Sequence, residues 1–168
     1  LPSANYTAVP EMWFDGVVIY NDDLSTLTPM TNGITYDANY LNRDENNTFA
    51  YFGAKWNTIV STLYHNNDLD TILSGEAGAT IAFRVSGANV ITIQNPIGYY
   101  NTPLLVCADD GTDRYCQTLN MSGFGYDAEF SVYLSEDQQP GNYIVTVSAL
   151  AGSRLDFDAV TPNAVTTP

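Results

Sequence analysis

Apolar and polar positions alternate in short runs through most of this chain, and the runs strengthen toward its C-terminal half. From Ala79, the stretch ATIAFRVSG sets Ile81, Phe83 and Val85 on one face of an extended segment. Gly87-Ala88-Asn89 reads as a turn, after which Val90, Ile91 and Ile93 resume the pattern. Ala128–Leu134 (AEFSVYL) is a strand and Asp137–Asn142 (DQQPGN) a turn. Tyr143–Ala149 (YIVTVSA) then points Tyr143, Val145 and Val147 inward. Leu155–Val160 closes the series as one strand. Earlier in the chain, Gly16–Tyr20, Thr48–Gly53 and Ile59–Tyr64 are strand candidates, with one more near Ile34–Tyr36. Tyr51–Leu63 is the best helical window, but Gly53 and β-branched residues break it. Short strands separated by turn signals roughly every 8–12 residues predict an all-β antiparallel sandwich or jelly roll.

The ends depart from this pattern. Residues 1–15 hold Pro2, Pro10, Met12, Trp13 and Phe14 without alternation and read as an extended N-terminal arm. Residues 16–160 form the β-sandwich domain, and 161–168 (TPNAVTTP) a Pro- and Thr-rich tail. Residues 21–47 are polar and read mainly as long loops.

The cysteines sharpen the picture. The chain has two, in LLVCADDGTDRYCQTL. Leu104–Cys107 and Tyr115–Leu119 are strand-like, and Asp109-Asp110-Gly111-Thr112 between them is a tight-turn signal. A hairpin there brings Cys107 and Cys116 onto facing strands within disulfide reach. A structural disulfide implies an oxidising compartment.

Five Lys and Arg against nineteen Asp and Glu give a formal charge of −14, which opposes binding to nucleic acid or anionic lipid. No run approaches the roughly 18 apolar residues of a membrane span. Twelve tyrosines and few lysines suit an extracellular or cell-surface protein. The chain starts at Leu1, which fits a cleaved targeting segment.

From about Thr48 to Val160, the order of features resembles the galactose-binding-like jelly-roll modules of secreted bacterial and fungal proteins, relatives of the carbohydrate-binding modules. The residues that carry the resemblance are YFGAKW, Ser61 and Tyr64, GATIAFRVSGANVITI, LLVCADDGTDRYC, PGNYIVTVSAL and LDFDAV. Residues 1–47 have no counterpart in it. The resemblance implies a jelly roll but does not transmit a ligand.

Catalytic signals are weak. His65 is the single histidine and lies in LYHNND with no Gly-x-Ser-x-Gly elbow, so a surface role outweighs a catalytic triad. The many carboxylates leave no glycosidase pair standing out. No enzymatic activity is expected. Related jelly rolls often hold structural calcium near the last strand, which makes Asp156 and Asp158 candidate calcium ligands. Asp22, Asp23, Asp68 and Asp70, read as loop residues, are potential partners; the plainer reading is two solvated carboxylates on an exposed face. Tyr99, Tyr100, Asn101 and Tyr126 are candidates for glycan or subunit contact, with Tyr99-Tyr100-Asn101 at a loop tip. Trp56 reads as core. Sequons begin at Asn5, Asn46 and Asn120. The arm, with Met12, Trp13 and Phe14, suits either a covering strand in its own domain or donation to a neighbour's open sheet edge. The leading expectation is a non-catalytic structural subunit of an extracellular assembly, self-associating into a homopolymer through that arm. The alternative is a carbohydrate-binding module that recognises glycans through loop aromatics.

Overall fold

A computed structural model describes residues 23–38, 47–53, 57–61, 70–75, 79–95, 103–120, 128–150 and 155–166. They form twelve strands: β1 (Tyr36–Asp37), β2 (Phe49–Phe52), β3 (Asn57–Ser61), β4 (Asp70–Gly75), β5 (Thr80–Ala88), β6 (Val90–Asn95), β7 (Leu104–Asp109), β8 (Arg114–Leu119), β9 (Ala128–Tyr133), β10 (Gly141–Ala149), β11 (Leu155–Phe157) and β12 (Ala159–Asn163). A single 3-10 turn, Leu24–Thr26, is the sole helical element among the described residues. Every strand pair is antiparallel. One layer is the five-stranded sheet β2-β5-β10-β7-β8. The other comprises β1-β12-β6-β9 and the three-stranded β11-β4-β3. The expected all-β sandwich is the fold observed.

The core follows the alternation in the sequence. Ile81, Phe83 and Val85 of β5 and Tyr143, Val145 and Val147 of β10 are buried together with Leu104, Val106 and Ala108 of β7. Opposite them, Ile91 and Ile93 of β6, Val132 of β9, Phe157 of β11 and Val160 of β12 complete the same cluster. Three rings meet inside it. Phe49 packs edge-on to Phe83 at 5.9 Å and to Phe157 at 6.3 Å between centroids. Edge-to-face geometry sets the positive ring edge against the negative ring face.

Several expectations need correction. The closing strand is two strands, because the chain changes sheets at Asp158: β11 pairs with β4, whereas β12 pairs with β6 and β1. All six residues from Leu155 to Val160 are buried, so Asp156 and Asp158, each 1% exposed, lie on no solvated face. A strand covered on both sides loses the in–out alternation that the carboxylates suggested. Asp70 is not a loop residue but opens β4, opposite Ser61, and β4 as a whole was missed. The tail begins later than residue 161, since β12 stays in its sheet through Asn163. The arm residues Met12, Trp13 and Phe14, the strand candidate Gly16–Tyr20, and Trp56 and His65 lie outside the described residues.

The cysteine hairpin forms as expected. Cys107 and Cys116 are direct register partners and are disulfide-bonded. The strands run further toward the turn than the sequence suggested, to Asp109 and from Arg114. Leu104, Val106 and Ala108 belong to the core cluster, so Cys107, between them in the pleat, faces away from it. The bond therefore staples the outer surface of the sheet at its edge. With a sequence separation of 9, it stabilises the fold by about 2–3 kcal/mol in the chain-entropy model. Cys107→Ser should lower stability by about that amount in urea denaturation and leave the far-ultraviolet circular dichroism of a β-protein intact; a loss below about 0.5 kcal/mol would mean the hairpin holds its shape without the bond.

Candidate functional site

The sheet register builds a cleft at one end of the sandwich. Ile144 of β10 lies opposite Asp109 of β7. The residues that precede it, Gly141 to Tyr143, therefore run alongside the β7–β8 turn. The segment Leu134–Pro140, which leads into β10, becomes the second wall. Between the two walls lies a cleft of about 760 Å³. That volume falls within the roughly 300–1,000 Å³ typical of small-ligand sites.

The first wall is rigid for local reasons. Gly111 has φ +91, a left-handed conformation that costs glycine little. Asp109 accepts the Gly111 N–H at 2.8 Å. Asp110 Oδ1 accepts the N–H groups of Thr112 at 2.7 Å and Asp113 at 2.8 Å. These two donors, Asp113 first, hold the Asp110 carboxyl below its ordinary range, because they favour the charged form. The turn is thus most tightly tied above ordinary carboxylate pKa values and loosens only as pH falls through the lowered one. Arg114 and Tyr115 follow on β8 and line the cleft.

The second wall is tied down from below. Tyr143 is buried, and its hydroxyl donates to the Gln139 carbonyl at 3.0 Å. The ring folds back so closely over Gly141 that a Cβ there would sit 2.8 Å from the hydroxyl oxygen, leaving room only for glycine. Asp137 Oδ1 accepts from Ser135 Oγ and from the Gln139 N–H. The strongest anchor is Asn89, which is fully buried. Its Nδ2 donates to the carbonyls of Gln138 at 2.9 Å and Val165 at 2.6 Å, and its Oδ1 accepts the Val165 N–H at 2.8 Å. Its own N–H donates to the Asn163 carbonyl, and its carbonyl accepts the Leu134 N–H, each at 3.0 Å. One residue, through its backbone and its side chain, thus ties β12, the end of β9 and the cleft wall together. From the sequence alone, Asn89 reads as a turn residue.

The polar groups that remain face an open volume. Asp110, Asp113, Glu136 and Asp137 line the cleft with Arg114, Gln139 and Asn142. Asn142 is partly engaged, since its Oδ1 accepts from Ser86 Oγ and the Gly87 N–H. Carboxylates, amides, a guanidinium and a tyrosine ring form a set that can hydrogen-bond hydroxyl groups and stack on a ring face.

Of the residues expected from sequence, Tyr99, Tyr100, Asn101 and Tyr126 lie outside the described residues, as do Asn5 and Asn46. Asn120 is exposed, just past the end of β8. The strand ends that flank residues 96–102 and 121–127 lie at the end of the sandwich away from the cleft. Asn95 pairs with Ala128 there, and Leu104 with Leu119. Across six-residue β7, the two ends are separated by roughly 17 Å. Among the described residues, no three His, Cys, Asp or Glu side chains converge to hold a metal ion. Asp23 instead caps the 3-10 turn by accepting the Ser25 N–H, and the Ser25 hydroxyl and N–H lower its pKa.

No family model and no curated protein matches the chain. Solved structures do. A family 6 carbohydrate-binding module, studied for its binding sub-sites, superposes with a TM-score of 0.50 at 14% identity, covering 69% of this chain and 87% of the module. The fold is a carbohydrate-binding-module-like jelly roll. A glycoside hydrolase family 43 arabinoxylan arabinofuranohydrolase from Bacillus subtilis, in complex with cellotetraose, gives 0.53 at 17% identity over 86% of this chain. The catalytic unit of a GH87 α-1,3-glucanase from Streptomyces thermodiastaticus gives 0.50 at 17% over 80%. This chain spans only 30% and 26% of the lengths of those two hydrolases. The jelly-roll architecture implied by the sequence resemblance is therefore the observed one.

Asn89→Ala should cost on the order of 3 kcal/mol, because the fully buried side chain gives up its three hydrogen bonds to Gln138 and Val165. Urea denaturation measures it, and a cost under about 1 kcal/mol would mean that the second wall is held by other contacts.

Proposed function

We propose that this chain is a non-catalytic glycan-binding module whose ligand enters the cleft between the β7–β8 turn and residues 134–140. The observation that carries the reading is the cleft itself, which joins a tyrosine, amides, carboxylates and a guanidinium on two pinned walls. The fold it shares with a carbohydrate-binding module supports the same class. A disulfide-stapled module of this kind suits an oxidising, extracellular setting. Self-association through residues 1–15, the first expectation from sequence, draws no support from the neighbouring folds, which favour glycan binding over a filament role. Tyr99 and Tyr100, expected from the sequence as a loop-tip glycan contact, stay as the rival glycan site.

A glycan array with three proteins separates these readings. Wild type should bind oligosaccharides at micromolar to millimolar concentration. Tyr115→Ala should weaken binding by about tenfold through the lost ring contact, and the double variant Tyr99→Ala, Tyr100→Ala should bind as wild type. The reverse pattern would move the site to Tyr99 and Tyr100. Absence of binding at millimolar glycan in all three would end the reading.

We also propose that Asp156 and Asp158 contribute to a structural calcium site. Both carboxylates are buried where the chain passes from β11 to β12. Gln94, whose backbone carbonyl accepts the Asp158 N–H at 3.2 Å, carries a buried Oε1 with no hydrogen-bond partner among the described residues. Hard oxygens of this kind fit calcium. Calcium added to chelator-treated protein should raise the melting temperature, by an amount equivalent to about 2.7 kcal/mol at a hundredfold excess over Kd, and Asp158→Asn should abolish the response. An unchanged melting temperature would contradict it.

A further inference from the structure

The charges on the two walls of the cleft specify more than a general affinity for sugars. Asp110 and Asp113 stand on the β7–β8 turn, Glu136 and Asp137 on the facing segment, and Arg114 is the one cation among the lining residues. Oδ1 of Asp110 and of Asp137 is engaged in its own turn. By contrast, the side chains of Asp113, Glu136 and Arg114 make no hydrogen bond or ion pair with the rest of the protein among the described residues. The walls thus present two uncommitted carboxylates, one from each side, to an open volume of about 760 Å³. The chain's formal charge of −14 adds a field that concentrates cations and repels anions.

We infer that the cleft selects glycans carrying free ammonium groups, that is, oligomers of a deacetylated hexosamine, over neutral and uronic-acid glycans. This inference rests on the glycan-binding reading of the cleft and names its substrate class. An ammonium has three donors and no acceptor, so it satisfies Asp113 or Glu136 by charge and hydrogen bond at once. A uronate carboxylate would meet four carboxylates with only Arg114 to pair it. An N-acetyl group removes the charge, leaving ring stacking on Tyr115 and hydroxyl hydrogen bonds to Gln139 and Asn142 as the remaining contacts.

Isothermal titration at about pH 5.5, where carboxylates and sugar amines are both ionised, tests the inference with glucosamine oligomers, N-acetylglucosamine oligomers of equal length, a neutral hexose oligomer and oligogalacturonate. The glucosamine oligomer should bind about tenfold tighter than its acetylated counterpart at low salt, and the preference should shrink as salt rises. The double variant Asp113→Asn, Glu136→Gln should lose the preference, so that it binds the glucosamine oligomer no tighter than the acetylated one. Equal affinity for both oligomers, tighter binding of oligogalacturonate, or equal competition by a lysine oligomer would overturn the inference. If neutral oligomers bind in a Tyr115-dependent way without an ammonium preference, the glycan-binding reading survives and this inference alone falls. If none of the four glycans binds, both fall.

Discussion

Phe49 and Phe83 reach down from the five-stranded sheet and meet Phe157 on the opposing layer, with ring centroids between 5.9 and 6.3 Å apart. That contact fixes how the two layers face each other. Phe157 lies at the point where the chain leaves β4 and joins β6, so the layer opposite the five-stranded sheet is threaded by one continuous buried run, Leu155 to Val160. Large rings at such a junction couple burial to topology: removing one opens a cavity shared by three strands. With the layers fixed, the register of β10 against β5 and β7 is fixed as well, since a one-residue slip would turn Tyr143, Val145 and Val147 outward.

The register has its functional effect at the strand ends. Because Ile144 pairs with Asp109, the segment before β10 must pass beside the hairpin turn. The cleft is therefore a consequence of strand pairing, and its walls are then stiffened separately. The hairpin wall is held by a disulfide on the outer face of the sheet and by Asp carboxylates that bond their own turn. The opposite wall is held by Tyr143 and by the hydrogen bonds of Asn89. Groups held this way lose little conformational entropy when a ligand binds, which lets a small site hold a sugar whose individual contacts are weak.

The strands of the strongest alternation, β5, β6, β9 and β10, were legible in the sequence because each has one face in the core. The cysteine hairpin was legible because strand, turn and strand are contiguous. β4 was not, since DTILSG has only two apolar residues, Ile72 and Leu73, side by side and without alternation. Asp156 and Asp158 followed the period of an exposed strand, yet the strand is covered on both sides. Asn89 looked like one more turn residue because its partners, Gln138 and Val165, are distant in sequence. The cleft was invisible for the same reason. Asp110–Tyr115 and Leu134–Tyr143 each read as ordinary turn and strand, and only the pairing of β7 with β10 sets them face to face.

Backbone amide chemical shifts recorded during titration with an oligosaccharide test the central claim most directly, because they report where on the sandwich a glycan sits. The account predicts that the largest shifts fall on Asp110–Tyr115 and on Ser135–Tyr143, the two walls of the cleft. Shifts concentrated instead around Asn95, Leu104, Leu119 and Ala128, at the other end of the sandwich, would contradict it.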